Sequence, residues 1–159
     1  MVFFEGEYLP LVFKLIQGVK SEILVCVYEW AWYTGQRTGT IQDINRELCR
    51  RAKEGVKIFA LIHNEPPGRS LGKLNRRSAS HLERAGAEVR LGNTGKILHA
   101  KLWVFDREKA IVCSHNISER AVTSNAEVGV LLEDEDSVKK CQDFFQRLWA
   151  RASGRVSPA

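Results

Sequence analysis

Hydrophobic and polar positions along the chain switch between two rhythms, one suited to helices and one to strands, and the switches mark out the elements. Residues 8–20 read as a helix and lead into an apolar strand at 22–30, EILVCVYEW. A Gly- and Thr-rich loop, TGQRTGT, follows, and a helix is predicted over 41–54, with Ile41, Ile44, Leu48, Cys49 and Ala52 on one face. Gly55 ends it, as a residue free to take a left-handed conformation should. The continuous apolar run at 56–62 reads as a buried strand, and Asn64-Glu65-Pro66-Pro67-Gly68 then breaks the chain into a loop. Residues 71–85 read as a helix closing at Gly86, followed by a short strand at 87–91 and a turn at 92–95. Three further strands are predicted at 97–105, 110–114 and 127–133. The last helix, over 137–152, carries an apolar stripe of Val138, Cys141, Phe144, Phe145, Leu148 and Trp149. Strand–helix alternation followed by clustered strands predicts an α/β fold, a mixed β-sheet flanked by helices, as one domain over residues 1–152. Residues 153–159 read as a flexible tail.

Length and composition agree with that picture: 159 residues suit one domain, and a 44% hydrophobic content supplies its core. The apolar stretch at 9–19 is interrupted by Lys14 and Gln17, too short and too polar for a membrane span, and has neither the basic flank nor the cleavage site of a secretion signal. A soluble cytoplasmic protein without a membrane anchor is expected. Cys26, Cys49, Cys113 and Cys141 are scattered, with no zinc-like spacing, which fits free thiols in a reducing compartment and no structural metal.

Charge changes the picture more. The net of +5 is concentrated between Pro66 and Leu98, where seven basic residues meet two acidic ones; elsewhere the signs balance at 17 each. Arg69, Lys73, Arg76, Arg77 and Arg84 in that window are candidate contacts for a polyanion such as DNA or RNA, the alternative being a merely solvated basic face.

Chemistry gathers in the last third. On a regular strand, the run I-L-H-A-K-L-W-V-F-D at 97–106 puts His99 and Lys101 on one face. Ser114 and Asn116 share a face at the end of the next strand, with His115 opposite, and Asn125 and Glu127 share one on the third. If the three polar faces coincide, an imidazole, an ammonium, a hydroxyl, an amide and a carboxylate converge, a set able to bind and attack a phosphate.

His99-x-Lys101-x-x-x-x-Asp106, then Ser114-x-Asn116, then Glu127 in N-x-E-V-G-V, closely resembles the signature of the phospholipase D superfamily. Most members carry two such motifs in a chain and this chain has one, so it resembles the short, single-motif branch of homodimeric bacterial endonucleases. The resemblance implies a phospholipase D-like fold with helices on both sheet faces. It implies a metal-independent phosphodiesterase that needs no cofactor, with His99 as the nucleophile forming a phosphohistidine. The same histidine of a second subunit would act as acid and then base. Lys101, Ser114 and Asn116 would hold the phosphate, and Glu127 would orient His99. Asp106, five residues past Lys101, is expected to be structural. The family's usual Gly before the Ser is Cys113 here, with its side chain expected to point away from Ser114.

Other features have plainer expectations. His63 and His81 read as ordinary surface or loop residues, and the aromatics at 28–33 as core or dimer packing rather than a base-stacking platform. The acidic run at 133–136 reads as the start of the last helix. The expected function is a nuclease acting on DNA or RNA. A phospholipid-hydrolysing enzyme and a catalytically silent nucleic-acid-binding module are the rivals; the first lacks a basic amphipathic membrane helix, and the intact motif argues against the second.

Overall fold

The computed structural model describes residues 1–33, 40–66, 68–92 and 96–152. The predicted tail at 153–159, most of TGQRTGT and most of the turn at 92–95 therefore lie outside the described residues. A seven-stranded sheet forms the middle layer. Its strands are β1 (Val2–Phe4), β2 (Glu22–Val27), β3 (Lys57–His63), β4 (Glu88–Gly92), β5 (Leu102–Phe105), β6 (Lys109–Cys113) and β7 (Val128–Leu132). They lie in the order β1-β7-β6-β5-β2-β3-β4. β2, β3 and β4 run parallel, whereas β5, β6, β7 and β1 are joined antiparallel, so the sheet is mixed.

Alternation along the strands divides the core into two layers. Ile23, Val25, Val27, Ile58, Ala60, Ile62, Trp103 and Ile111 face the helices α1 (Glu5–Gly18), α2 (Ile41–Lys53) and α3 (Ser70–Arg84). Leu24, Cys26, Leu61, Leu102, Val104 and Ala110 face Val138, Phe145 and Ala152 on or beside α5 (Glu135–Arg151), the helix that follows the short α4 (Glu119–Thr123) and β7. Both faces of β2 and β3 are thus covered, which is why their sequences are continuous apolar runs. Asp134 caps α5 by accepting the Ser137 N–H at 2.9 Å, in keeping with the acidic run there.

Four expectations need correction. The strand expected at 97–105 begins only at Leu102, because pairing with β6 ends where the Lys101 carbonyl accepts the Cys113 N–H at 3.2 Å. His99 and Lys101 therefore stand on an irregular segment leading into β5. β1 was not expected, since three residues are too few to show a period; it is held by β7 through Val2↔Val130 and Phe4↔Val128. The first helix starts at Glu5, three residues ahead of its expected start, directly after that strand. The strand expected at 22–30 stops at Val27, and Trp30 instead pairs as a lone bridge with Ile117.

Candidate active site

The parallel strands β2 and β3 end at Val27 and His63, and the site is assembled where they end. Asn75 of α3, fully buried, fastens these ends together. Its amide donates to the Tyr28 and His63 carbonyls, each at 2.9 Å, and its oxygen accepts the Trp30 N–H at 2.9 Å. The segment after β6 is strapped to the same place: Ile117 N–H donates to the Glu29 carbonyl at 3.0 Å, and Ala31 N–H to the Ile117 carbonyl at 2.8 Å. Asn116 joins the strap, its side-chain oxygen accepting the Glu29 N–H at 3.3 Å.

Within this frame His99 is exposed and Lys101 is buried to 7% exposure. The Lys101 ammonium donates to the His99 carbonyl at 2.8 Å and lies 3.3 and 3.4 Å from the two His99 ring nitrogens. Burial pulls the Lys101 ammonium below its ordinary value, opposed by the nearby Glu127 and Glu29 carboxylates. Tyr28 forms a wall behind the pair: its ring centroid is 5.2 Å from that of His99, and the Lys101 Nζ stands 5.7 Å from it. The Ser114 hydroxyl donates to Glu127, and the Val128 N–H donates back to Ser114 Oγ at 3.1 Å. Asn125 donates to the other Glu127 oxygen at 3.0 Å. His99, Lys101 and Ser114 line one cavity of about 570 Å³, whose remaining wall includes Val112, Cys113, Cys141 and Phe144.

The geometry changes several sequence-based roles. Glu127 was expected to orient His99, but its carboxylate is taken by Ser114 and Asn125 and makes no bond to the imidazole of its own chain. The reason is register: Ser114 N–H pairs with the Val128 carbonyl at 2.9 Å, which sets Ser114 beside Glu127 rather than His99. His63 is not a surface residue; it is buried, stacked on Tyr28 at 4.9 Å, with its Nδ1 unpartnered. Burial lowers its pKa, Glu65 opposes that, and His99 adds to it. His115 is buried on the opposite side, stacked on Tyr8 at 4.3 Å.

Cys113 is half-buried, its Sγ near the His115 carbonyl, and burial pushes its thiol up to about 12. The aromatic run divides: Trp30 is core, Trp32 stacks on His81 at 4.2 Å, and Tyr28 belongs to the site. Asp106 accepts the N–H groups of Lys20, Ser21 and Glu22 at 2.7, 2.8 and 3.0 Å, and so fastens the turn before β2.

Five of the seven basic residues of the 66–98 window sit on α3 and its approach; Arg90 is on β4 and Lys96 lies between β4 and β5. Arg69, Lys73, Arg77 and Arg84 are exposed. Arg76 folds inward, 3.4 Å from both the Asn64 side-chain oxygen and the Glu65 carbonyl. Sequence reasoning missed Asn75 and assigned Tyr28 to packing; neither carries a motif, and it is the fold that brings Tyr28 to His99 and sets Asn75 to fasten the strand ends beside it.

This sheet order, with His99, Lys101 and Ser114 gathered beside the strand ends, is that of a phospholipase D-like domain. The model of the family described as "Cardiolipin synthase, PLD-like domain" matches residues 12–149, and the chain belongs to that family. Among curated relatives, the DISARM protein DrmC of Bacillus paralicheniformis is 26% identical over 129 residues, covering 80% of this chain and 50% of DrmC. The cardiolipin synthase of Listeria monocytogenes is 30% identical over 94 residues, covering 59% of this chain and 19% of that enzyme. The chain thus spans half the length, or less, of these relatives. Among solved structures, the phospholipase D family member Nuc of Salmonella typhimurium superimposes with a TM-score of 0.81 at 20% identity, covering 99% of this chain and 97% of Nuc. No helix among the described residues is long and apolar enough to cross a membrane.

Proposed function

We propose that the chain is a metal-independent phosphodiesterase, a nuclease on DNA or RNA, with an active site shared across a homodimer. One observation carries the reading: an exposed imidazole, a buried ammonium and a hydroxyl line a single cavity of about 570 Å³. Lys101 and Ser114 would bind the non-bridging oxygens of a phosphodiester. A ring nitrogen of His99 would attack phosphorus, forming a P–N bond as the bond to the leaving oxygen breaks. That oxygen needs a proton, and the later water needs a base; one further imidazole can do both. Within this sequence no second imidazole stands in a matching motif, and among the described residues no carboxylate is bonded to the His99 ring; a second copy would supply both.

A face beside the cavity suits that copy. Val2, Phe4, Val112 and Val128 are exposed on one side of β1, β7 and β6, in registered rows that run towards Leu102 in the cavity wall. The basic residues Arg69, Lys73, Arg76, Arg77 and Arg84 would add attraction for a polyanion.

The apolar part of the cavity wall, Leu102, Val112 and Phe144, favours a second reading in which the phosphodiester is that of a phospholipid. Incubating the protein in EDTA with labelled oligonucleotides and, separately, with anionic phospholipid vesicles decides between them. Cleaved oligonucleotide with intact lipid is expected, and His99→Ala should abolish it while the fold survives. Lipid turnover alone, or activity that returns to the EDTA-treated protein only with Mg²⁺, would overturn the proposal.

A further inference from the structure

A second cavity of about 410 Å³ adjoins the one at His99: His99, Ala100 and Phe144 line both, and Arg147 and Arg151 line the second. Lys140, Phe144, Arg147 and Arg151 follow one another at intervals of four, three and four residues, which is a single stripe along α5. The three cations are exposed, and none of them is in an ion pair among the described residues. Of the acids near the stripe, Asp143 is engaged by Lys139 at 2.6 Å, while Asp136 lies one turn before Lys140 and Asp134 interacts with the Lys140 charge. The Arg147 guanidinium lies over the Phe144 ring, 5.4 Å from its centroid.

We propose that this stripe is the track along which a single nucleic-acid strand reaches His99. Lys140, Arg147 and Arg151 contact phosphates spaced along the strand, and Phe144, backed by Arg147, stacks against a base next to the scissile bond. The inference rests on the nuclease reading above and names the strand form it takes. Eleven residues of helix span about 16 Å, a length that four or five nucleotides cover at the roughly 3.4 Å rise of a stacked strand and fewer cover once the strand is unstacked. A lipid headgroup would need one cluster of charge, whereas these cations are spread along a groove. A membrane surface would need apolar side chains projecting outward between them; on the helix that place is taken by Phe144, half-buried in the cavity wall, and across the cavity Ile97 alone projects, one residue against a row of cations. A base reaches that ring only when it is unstacked from a duplex, which selects the single strand.

The test measures binding of a fluorescent single-stranded oligonucleotide, and of its duplex, across a salt series in a non-cleaving His99→Asn background. Three variants are compared in that background: Lys140→Gln with Arg147→Gln and Arg151→Gln; Phe144→Leu; and a control neutralising the exposed Lys14, Lys53 and Lys57. The triple α5 variant should lose about two units of salt slope, near 0.7 for each phosphate contact on a single strand, and roughly tenfold or more in affinity. Phe144→Leu should weaken the single strand about fivefold or more and the duplex little. The control should keep its slope, and thermal melting should show all three folded.

An unchanged slope in the α5 variant, or an equal loss in the control, overturns the track. Tighter binding of the duplex overturns the strand assignment. Wild-type protein that neither binds nor cleaves any nucleic acid overturns the nuclease reading and the track with it. Wild type that cleaves while the α5 variant binds normally overturns the track alone.

Discussion

Asp106 shows how one carboxylate can hold a fold together away from the chemistry its motif advertises. Burial would raise its pKa, but the N–H groups of Lys20, Ser21 and Glu22 and the Ser21 hydroxyl outweigh that and hold it below the usual carboxylate range. Its φ of 51° adds a second requirement, since that left-handed backbone suits Asp or Asn better than most residues. Asp106→Ala should cost about 2–3 kcal/mol in chemical denaturation and Asp106→Asn about half as much, because Asn keeps the backbone and one acceptor. An Asn variant as stable as the wild type would show that the charge adds nothing.

His115 works in the opposite sense. It is 1% exposed and neither ring nitrogen has a partner; burial lowers its pKa, opposed by Glu127 and Glu5. A lowered folded value means that the unfolded chain binds the proton more tightly. Stability is therefore full above the ordinary imidazole value, near 6.5, and is lost as pH falls towards the folded one. His115→Phe keeps the stacking on Tyr8 and removes the unpaired nitrogens. It should raise stability by about 1 kcal/mol and flatten the acid decline in melting temperature between roughly pH 7 and pH 5. An unaltered decline would assign it to His63 and His81, whose values burial also lowers.

Among the elements, β7 depends on one absent side chain. A Cβ on Gly129 would stand 2.1 Å from Phe3 Cζ and 2.8 Å from Cys113 Cβ, closer than atoms can approach. The glycine in N-x-E-V-G-V thus lets Phe3 of β1 lie across β7, and it keeps the strand that carries Glu127 in register with Ser114. Gly129→Ala should destabilise by about 1–3 kcal/mol. In a Phe3→Ala background the same change should cost less, and a double-mutant cycle measures the difference. Strict additivity would mean that Phe3 is not what the new methyl meets.

At the scale of the whole molecule, the proposed site is complete only in pairs. Equal amounts of wild type and His99→Asn, mixed under exchange, leave about a quarter of dimers with two intact histidines. A shared site then gives about a quarter of the all-wild-type activity and independent sites about half. Sedimentation of the same samples should show a dimer, which Val128→Glu should weaken together with activity, since a charge there would be buried on association. A fully active monomer would defeat the shared site.

The sequence by itself determined the α/β class, the apolar runs of β2 and β3 and the motif residues His99, Lys101, Ser114, Asn116 and Glu127. Such features depend on local periodicity and on fixed spacing, which a single chain displays directly. Which side chains meet was decided by strand order and register. Pairing of Ser114 with Val128 gives Glu127 to Ser114 instead of His99, and the end of pairing at Lys101 leaves His99 on an irregular segment. The adjacency of β2 and β5 brings Tyr28 to the imidazole, and that of β2 and β3 stacks His63 behind Tyr28, from positions far away in the chain. Contacts of that kind come from hydrogen-bonded neighbours across the sheet, and no window of sequence contains both partners.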